Sequence, residues 1–572
     1  MIELSVIIPT YNRIERLRAC LEALSRQTHS AADIEVMVID DGSSDGTGER
    51  LAKLTTPFKL RVLRQEHSGQ HIARNRGAEI ARGRYCLFLD DDIVAGPRLI
   101  AEHLGALHRH ERVVVIGQIT MTVPGNADWF ARCFAQRWSG HYARLNRGAR
   151  PPRWVDCYGG NMSVSRALFL DVGGFAVDLP RSHDIELGYR LWRNGLSFIY
   201  ASGAVGNQHE QKTFMELAQD ANKAGAAWVK LYELHPPVLP ELLGTLNEES
   251  RFHVLLQRTL LALDVPPRVL MWVGRIVANH PRIYSWYRFV HSYCYWRGVR
   301  QAITDGDTWR CLTQRIPILM YHAFGGPGER ASRYIVPTRR FAWQMAWLKW
   351  CGYCVLRLEE FLRYRQEYRL PPPRSIVITI DDGYADSGSL AYPILRRYGF
   401  PATIFLVTNK VGSRNDWARN RELSGRSLLS WSDIERLRRN GTDFGAHTRT
   451  HPGLTSVSSK QAQEEIAGSR VDLETKLKTP INLFAYPYGE YDAATQAMVE
   501  QSGFQVGCTI RKGFNTIRTP LHALLRIEVE GTDSLHRFAL KLWFGDSRAF
   551  RRLAGPWMSS LSRSRTAEHI DS

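Results

Sequence analysis

The segment Tyr85-Cys86-Leu87-Phe88-Leu89-Asp90-Asp91-Asp92 begins as an apolar run and ends in three consecutive carboxylates. A buried strand with acidic residues at its carboxyl end is typical of open α/β sheets, which bind ligands at that edge. The pair Asp90 and Asp92 offers the oxygen ligands through which a hard divalent cation bridges to phosphate. The segment therefore predicts an α/β domain that holds a nucleotide diphosphate through a metal ion.

The residues before this segment show the same strand-then-helix pattern. Val6 to Thr10 is an apolar strand that leads into a helical spacing of leucines, and Ile34 to Ile39 is a second strand. The second strand ends in the turn-rich stretch Asp40 to Thr47. We expect Thr10, the two aspartates of that turn and Asp90 to share one edge of the sheet.

A second acidic strand end lies near the middle of the chain, where the apolar run Ile376 to Ile380 leads into Asp381 and Asp382. Further βα units follow, which predicts a barrel with its site residues at strand ends. His447 and His451 are four residues apart, so they converge on one ion only where the backbone is helical or tightly turned. With Asp382 they form a three-ligand set that leaves positions open for water and substrate. This pattern predicts a metal site that activates water.

The order of motifs in the first part of the chain resembles that of family 2 glycosyltransferases with the GT-A fold. The resemblance implies that the nucleotide-sugar-binding residues are Thr10, Tyr11, Asp40, Asp41, Arg74 and Asp90. It also implies that Asp92 binds the cation, Mg²⁺ or Mn²⁺, while we expect Asp91 to face away.

The segment His183-Asp184-Ile185-Glu186-Leu187 resembles the helix that carries the catalytic base of that family, which makes Asp184 the expected general base. An inverting transfer needs a carboxylate that takes the proton of the acceptor hydroxyl. His209 follows a predicted strand and is a candidate third metal ligand. A hydrogen-bonded histidine without a role in catalysis is the alternative for His209.

The later part of the chain resembles the polysaccharide deacetylases of carbohydrate esterase family 4. The resemblance implies that Asp381 is the general base and that Asp382, His447 and His451 hold zinc or a similar divalent metal. It also implies that the backbone amide of Tyr488, in the segment Phe484 to Gly489, helps to bind the oxyanion.

That segment has Ala485 where the family usually has arginine, so we expect Asp381 to lack its customary arginine partner. This variant resembles the poly-N-acetylglucosamine de-N-acetylase branch, in which the general acid is a histidine of an early Leu-Met-Tyr-His segment. Here that residue is His322, which we prefer to His522 and His536. A histidine that only closes a strand is the alternative for His322.

The length of 572 residues suits two large domains and a connector. We divide the chain into a GT-A domain at 1–225, a helical extension at 226–310, a distorted (β/α) barrel deacetylase domain at 311–545 and a basic tail at 546–572. The fold class is α/β. Nine cysteines form no small-domain disulfide framework, which fits a reducing cytosol.

The formal net charge is +18. Basic residues alternate with Trp, Tyr and Leu in residues 251–300 and again in 548–565, a composition that suits anionic lipid headgroups. A generally basic, soluble surface is the alternative, and without a recognition motif we expect no nucleic-acid partner. The chain shows neither a signal-peptide pattern nor an apolar span of about 18 residues. We therefore expect a cytoplasmic protein with peripheral contact at the inner face of the membrane.

Three functions remain open. The first is a bifunctional enzyme of cell-surface polysaccharide or lipopolysaccharide biosynthesis. It would transfer a sugar from a nucleotide sugar, with UDP favoured, to a glycan or glycolipid, and would de-N-acetylate an N-acetylhexosamine. The second is a transferase whose deacetylase-like half only binds carbohydrate, and the third is a scaffold at the membrane surface. The completeness of both motif sets favours the first.

Overall fold

The computed structural model describes residues 2–179, 181–209, 212–244, 251–417 and 422–544. The chain forms two compact units, of which the first contains Met1–His235 and Glu249–Thr304. The second contains Pro236–Glu248 and Asp305–Ser572. The predicted tail 546–572, with the basic segment 548–565, lies outside the described residues. In the described ranges, no helix has both the length and the apolar character that a membrane crossing demands.

One eight-stranded sheet organises the first unit, with the order β3-β2-β1-β4-β7-β6-β8-β5. Its strands are β1 (Leu4–Thr10), β2 (Ile34–Asp40), β3 (Lys59–Arg64), β4 (Tyr85–Leu89), β5 (Ile93–Ala95), β6 (Val113–Thr122), β7 (Asn161–Ser165) and β8 (Ser197–His209). Strands β3, β2, β1 and β4 are parallel, whereas β7 runs antiparallel to both of its neighbours. The carboxyl ends of β1, β2 and β4 therefore lie at one edge, as the sequence predicts.

Helices pack on both faces of this sheet, because alternate residues of β1 belong to two different core clusters. The helices up to residue 304 are α1 (Ile14–Leu24), α2 (Thr47–Ala52), α3 (Gln70–Ile80), α4 (Leu99–Arg109), α5 (Trp129–Asn146), α6 (Arg166–Asp171), α7 (His183–Arg193), α8 (Phe214–Leu234), α9 (Leu239–Leu242), α10 (Arg251–Ala262), α11 (Pro267–Ile276) and α12 (Ile283–Ala302). Of these, α9 lies in the second unit. The helical character predicted for the extension is confirmed.

Helices α8 and α12 pack closely through two glycines. A Cβ at Gly225 would lie 2.0 Å from the carbonyl oxygen of Tyr295, and one at Gly298 would lie 1.8 Å from that of Asn222. Any side chain at either glycine would push the two backbones apart. This contact attaches the helical extension firmly to the first unit.

The second unit is a parallel barrel. Its strands are β9 (Ile318–Tyr321), β10 (Ala323–Gly325), β11 (Ile335–Pro337), β12 (Cys354–Leu356), β13 (Ser375–Ile380), β14 (Thr403–Leu406), β15 (Asp443–Ala446), β16 (Leu483–Ala485), β17 (Val506–Lys512) and β18 (Leu524–Glu528). Seven strands close in the order β9-β13-β14-β15-β16-β17-β18, because β9 pairs with both β13 and β18. Strand β12 pairs with β13 outside this ring, and β10 pairs with β11. The predicted barrel is confirmed, with seven strands in the ring.

Eight helices accompany these strands in the described residues from 305 onward: α13 (Gly306–Thr313), α14 (Thr338–Trp350), α15 (Leu358–Gln366), α16 (Tyr392–Tyr398), α17 (Trp431–Arg439), α18 (Ser459–Leu477), α19 (Ala493–Gln501) and α20 (Leu535–Phe544). The strands between them are short and largely buried. Since all ring strands are parallel, their carboxyl ends open on one side of the barrel, where the loops hold the polar residues.

Candidate active sites

The first site is a cavity of about 890 Å³ at the carboxyl ends of β1, β2 and β4. The predicted site residues that line it are Thr10, Tyr11, Asp41, Arg74, Asp90, Asp92 and Asp184. These residues come from distant parts of the first unit, and the parallel strands bring them to one edge. The predicted nucleotide-binding residues and the predicted base therefore share one cavity, with the exception of Asp40.

Asp91 also lines this cavity, so the expectation that it faces away is wrong. Its Oδ2 accepts a hydrogen bond from Thr10 Oγ1 at 2.8 Å, and its Oδ1 lies 3.4 Å from Arg13 Nη1. Burial raises the pKa of Asp91 to about 6, although Arg13 opposes that rise. Strand β4 ends at Leu89, so the side chains that follow no longer alternate between two faces.

Arginines bring positive charge to the three aspartates. Arg74 donates a hydrogen bond to Asp90 Oδ1. Arg13 Nη1 lies 3.8 Å and Arg16 Nη1 lies 3.7 Å from Asp92 Oδ2. Arg13 and Arg16 were not predicted as site residues. Their positions soon after β1 could have indicated that they lie at the edge of the sheet where the strands end. Their guanidinium groups suit the oxygens of a diphosphate.

The aspartates fit a cation that a nucleotide helps to hold. Burial, and next the charge of Asp90, raises the pKa of Asp92. Within the described ranges Asp90, Asp91 and Asp92 do not form a three-ligand set with atoms inside 4.8 Å. A magnesium-like ion typically takes one or two carboxylates and completes its shell with phosphate oxygens and water. Asp92, with Asp90, suits that type of site.

The structure does not bring His209 to the cavity. His209 is exposed at the end of β8, where its Nδ1 lies 2.9 Å from Thr122 Oγ1. The preceding residue, Gln208, lines the cavity and donates from Nε2 to Asp92 Oδ1 at 3.0 Å. Neighbouring residues of a strand point to opposite faces, so Gln208 shares the cavity with Asp92 and His209 does not. The predicted role of His209 as a metal ligand therefore gains no contact from this geometry and stays a prediction.

An aromatic pair forms one wall of the cavity. The rings of Tyr11 and His67 stack with their centroids 4.1 Å apart, and Tyr11 remains 42% exposed. Behind them, Asp41 accepts hydrogen bonds from the backbone amides of Ser68 at 2.9 Å and Gly69 at 2.8 Å. Asp41 thereby orders the loop before α3, and the exposed ring offers a surface on which a nucleobase can stack.

Asp40 lies beside Asp41 but is not part of the cavity lining. It is 1% exposed, and its Oδ1 accepts a hydrogen bond from the backbone amide of Ser43 at 2.9 Å. Its Oδ2 lies 3.9 Å from Arg64 Nε. The carboxylate of Asp40 therefore shapes the turn after β2, and its predicted role in nucleotide binding gains no contact from this geometry.

Asp184 faces the cavity from the first turn of α7. Its Oδ2 accepts a hydrogen bond from the backbone amide of Gly159 at 3.1 Å, and its Oδ1 accepts one from Ile185 at 2.9 Å. Burial raises the pKa of Asp184, although these amides oppose the rise. The preceding His183 stacks on His71 with ring centroids 3.8 Å apart, which anchors the start of α7. A held carboxylate with a raised pKa suits a general base.

Helices of the extension also line this cavity. Trp228 of α8 and His291 and Tyr295 of α12 face it, as do Phe134 and Trp138 of α5. The sequence pattern of the extension shows no catalytic motif, so these contributions were not predicted. We call these five residues the aromatic end of the cavity, and they provide flat apolar faces of the kind on which sugar rings pack.

The second site brings together Asp382, His447 and His451 at the open end of the barrel. The Nε2 atoms of the two histidines are 3.2 Å apart, and Asp382 Oδ1 lies 3.6 Å from His447 Nε2 and 3.3 Å from His451 Nε2. A tetrahedral ion with bonds of about 2.1 Å separates its ligand atoms by about 3.4 Å. Among the described residues, this is the only set of three potential ligands within 4.8 Å of one another. The residues present fit a zinc-like ion.

A tight turn, not a helix, makes the two histidines converge. His447 follows β15, and both Thr448 (φ 64°) and His451 (φ 65°) have left-handed backbone conformations. The Nδ1 of His447 lies 2.7 Å from the carbonyl oxygen of Ala485 and donates to it, which leaves Nε2 for a metal. Burial, and next the charge of His451, lowers the pKa of His447 to about 4, so the ring is neutral as a ligand must be.

Asp381 has an arginine partner after all. Arg526 of β18 is fully buried and donates two hydrogen bonds to Asp381, at 2.7 and 2.8 Å. Burial raises the pKa of Asp381, but Arg526 and His447 outweigh it and hold the pKa below its usual range. The expectation based on Ala485 is therefore wrong, because the neighbouring barrel strand supplies the charge from a different part of the chain. Arg526 is the main site residue that the sequence reasoning missed.

His322 follows β9 directly and is half-buried. Its ring meets that of Tyr334 edge to face, with centroids 5.1 Å apart. Burial and Arg526 dominate the pKa of Asp381, and His322 adds a smaller electrostatic contribution that lowers it. The predicted acid therefore lies in the same group of charges as the predicted base.

The two other candidate histidines lie elsewhere. His522 Nε2 is 2.8 Å from the carbonyl oxygen of Phe504, which gives that ring a structural partner. His536 is exposed on α20. Neither histidine has a contact with Asp382, His447 or His451 in the described residues. His322 remains the preferred candidate for the general acid.

Aromatic rings surround the ligand set. Trp417 stacks on His451 with centroids 5.2 Å apart, and Tyr488 meets the same ring edge to face at 4.6 Å. Tyr488 has a left-handed backbone conformation (φ 56°) in the loop after β16. Trp417 was not predicted from the sequence. These rings form walls against which a sugar can pack beside the ligands.

Two known protein families match the chain, one within each of its two compact units. Residues 5–173 match the model of the glycosyl transferase family 2. Residues 369–507 match the model of the polysaccharide deacetylase family.

Individual relatives cover one part of the chain or the other. Validoxylamine A glucosyltransferase of Streptomyces hygroscopicus is 30% identical over 282 residues, which cover 44% of this chain and 65% of that protein. Poly-beta-1,6-N-acetyl-D-glucosamine N-deacetylase of Staphylococcus epidermidis is 28% identical over 226 residues, 38% of this chain and 75% of that protein. Among solved structures, the Streptococcus pyogenes deacetylase PplD in complex with acetate has a TM-score of 0.35 and 27% identity, and covers 40% of this chain and 97% of that one.

Proposed function

We propose that this chain, which combines a family 2 glycosyltransferase domain with a polysaccharide deacetylase domain, builds and then de-N-acetylates a saccharide. The donor is a nucleotide sugar, with UDP favoured, and the acceptor is a glycan or glycolipid. The deacetylase acts on an N-acetylhexosamine, as the name of the staphylococcal relative suggests for that protein. We place this activity in the synthesis of cell-surface polysaccharide or lipopolysaccharide, in the cytoplasm and in peripheral contact with the membrane.

The transfer reaction is supported by one cavity that contains Asp184 and the aspartates after β4. Asp184 takes the proton of the acceptor hydroxyl while that oxygen attacks the anomeric carbon. Arg13 and Arg16 hold the diphosphate that leaves. A divalent cation bound through Asp92 would offset the negative charge of that leaving group.

The deacetylation is supported by the ligand set and by the buried pair of Asp381 and Arg526. Asp381 removes a proton from the attacking water, and Arg526 keeps its carboxylate ionised and oriented. The water oxygen forms a bond to the amide carbon, the carbon–nitrogen bond breaks, and His322 gives a proton to the departing amine. The products are acetate and a free amine. A zinc-like ion on Asp382, His447 and His451 would polarise the amide carbonyl and lower the pKa of the water.

The buried Asp381–Arg526 pair is the observation that carries the enzymatic proposal over a module that only binds carbohydrate. Removing two charges from water costs several kcal/mol per ion, which the mutual attraction only partly offsets. A binding module has no need for an oriented, ionised carboxylate beside a metal-ligand set. The same argument disfavours a scaffold without catalysis.

The test uses the purified full-length chain, a panel of nucleotide sugars and N-acetylated glucosamine oligosaccharides. We expect manganese-dependent binding of one nucleotide diphosphate, zinc or a similar metal in the preparation, and release of acetate. Transfer without acetate release from any N-acetylated saccharide would support the carbohydrate-binding module instead. Loss of both activities with binding retained would support the scaffold.

A further inference from the structure

Helix α11 exposes an amphipathic face. At about 100° per residue, five exposed residues fall within roughly 120° of its circumference: Arg268, Val269, Trp272, Arg275 and Ile276. Trp272 is 62% and Ile276 is 66% exposed. The other side of the helix is held by the protein, since Leu270 is buried. The exposed side chains therefore belong to a fixed surface and not to a loose segment.

Helix α10, which packs on α12 as α11 does, also exposes Leu255, which is 63% exposed, and Leu263 just after its end, which is 70% exposed. We call the seven exposed side chains the α10–α11 surface: Leu255, Leu263, Arg268, Val269, Trp272, Arg275 and Ile276. Large apolar side chains exposed in this number on neighbouring helices mark an interaction site.

The segment that carries this surface is strongly basic. Residues 251–304 contain eight arginines and one acidic residue, Asp264. That acid is already paired with Arg297 at 2.7 Å. Within the described part of the chain, Arg268 and Arg275 make no ion pair. The positive charges of Arg268 and Arg275 can therefore pair with an anionic partner at this surface.

We infer that the α10–α11 surface docks on an anionic phospholipid bilayer. A tryptophan and branched aliphatic side chains beside arginines on a single helix face match the boundary between headgroups and acyl chains. The arginine heads can reach the phosphates while their stems and the apolar side chains enter the boundary. Each arginine adds roughly 1 kcal/mol of attraction to an anionic surface.

The position of the surface gives this docking a consequence for the transferase, which rests on the function proposed above. Gly274 of α11 lies against Trp129 at the start of α5, where a Cβ on the glycine would be 2.0 Å from the indole ring. Further along α5, Phe134 and Trp138 line the cavity. At about 1.5 Å per residue, Trp138 lies roughly 14 Å along the helix axis from Trp129. A docked surface would thus bring the aromatic end of the cavity close to acceptors in the bilayer.

Co-sedimentation of the full-length chain with vesicles tests this inference. We expect binding to vesicles of phosphatidylglycerol mixed with phosphatidylcholine, and weak binding to phosphatidylcholine alone. The double variant Arg268→Glu, Arg275→Glu should lower the partition coefficient by at least about tenfold at low salt. The double variant Trp272→Ser, Ile276→Ser should lower it by roughly tenfold at both low and high salt, because the apolar term is not screened.

The matched control is Arg26→Glu with Arg109→Glu, two exposed arginines of the first unit, of which Arg26 lies in the turn after α1 and Arg109 ends α4. It carries the same change in net charge and should retain at least half of the binding. Equal losses in the control and in Arg268→Glu, Arg275→Glu would show that only net charge matters and would overturn the surface. Vesicle binding by both surface variants at the wild-type level would also overturn the inference. A wild-type dimer that dissociates in the variant Trp272→Ser, Ile276→Ser would overturn it too, because the surface would then join two copies of the chain.

Manganese-dependent binding of nucleotide diphosphate, measured on the same variants, separates this inference from the proposed function. None of the substituted residues lines the cavity, so nucleotide affinity should remain within about twofold of wild type in every variant. If the surface variants bind both nucleotide and vesicles normally, the membrane-docking inference is wrong and the proposed transferase function is unaffected. Absence of nucleotide binding in the wild type would sink the transferase function and leave the vesicle result intact.

Discussion

The two sites shift the pKa values of their buried carboxylates in opposite directions. In the transferase cavity, burial raises the pKa of Asp91 to about 6 and also raises that of Asp92, because the arginines around them do not cancel the desolvation. In the deacetylase barrel, Arg526 and the histidines overcome a comparable burial and lower the pKa values of Asp381 and Asp382. The deacetylase site is therefore preorganised by its own residues. In the function proposed above, a cation and a nucleotide would complete the balance of charge in the transferase site.

This difference implies that the two halves respond differently to single substitutions. A preorganised site should lose rate when one member is removed, with the rest of the geometry intact. A site completed by ligands should lose ligand affinity first. The substitutions below separate these two behaviours.

The largest effect is expected for the base of the deacetylase. Asp381→Asn should reduce acetate release by about 10²- to 10⁴-fold, because the water loses its proton acceptor. The metal content should stay near that of the wild type, since the ligand set is unchanged. His447→Ala should lose both metal and activity, as measured by elemental analysis and an acetate assay. Full acetate release by Asp381→Asn would refute the assigned base.

In the transferase half, Asp184→Asn should reduce transfer by about 10²- to 10⁴-fold and leave nucleotide binding almost unchanged. Asp92→Asn should instead weaken manganese-dependent binding of the nucleotide diphosphate, because Asp92 is the expected cation ligand. Titration calorimetry distinguishes the two variants. Equal loss of binding in both would show that the roles are not separate.

Arg526→Met should destabilise the second unit by about 3–5 kcal/mol, because the buried Asp381 loses its counter-charge. Acetate release per bound metal should also fall, since the carboxylate is no longer held. The double variant Arg526→Met, Asp381→Asn should recover part of the stability, which a double-mutant cycle measures by denaturant unfolding. Arg511→Met, an exposed arginine of β17, is the control. A loss no greater than that of the control would contradict the preorganised site.

The pH dependence of transfer should reflect the raised pKa of Asp184. The base acts in its ionised form, so the rate should fall as the pH drops through a value above the ordinary aspartate pKa of about 3.9. Initial rates at saturating nucleotide sugar from pH 4 to pH 8 would show this acid limb. A rate that stays constant down to pH 4 would mean that Asp184 is not the titrating base.

The smallest effect concerns the neighbours at the end of β8. Gln208→Ala should weaken manganese-dependent nucleotide binding by about fivefold, because Asp92 loses a hydrogen bond of about 1 kcal/mol. His209→Ala should leave the affinity unchanged, since its partner is Thr122. The two variants differ by one position and serve as controls for each other. A larger loss in His209→Ala would support the predicted third ligand.

The sequence determined which chemistry lies at which strand end, because apolar runs followed by polar residues are local patterns. The pairs Asp381–Asp382 and His447–His451, the run of aspartates after β4 and the strands that carry them follow from short stretches of chain. The sequence also predicted a helical or tightly turned backbone between the two histidines, because few other conformations let residues four positions apart bind one ion.

Tertiary structure alone decided which distant residues complete each site. Arg526 reaches Asp381 across 145 positions of sequence, through pairing of β18 with the ring, and no local pattern marks it. The choice of Gln208 over His209 depends on the register of β8, where a shift of one residue exchanges the two faces. The aromatic end of the cavity depends on the packing of α12 against α8. Local residue patterns determined the chemistry of each site, whereas long-range strand pairing and helix packing determined its charge partners and walls.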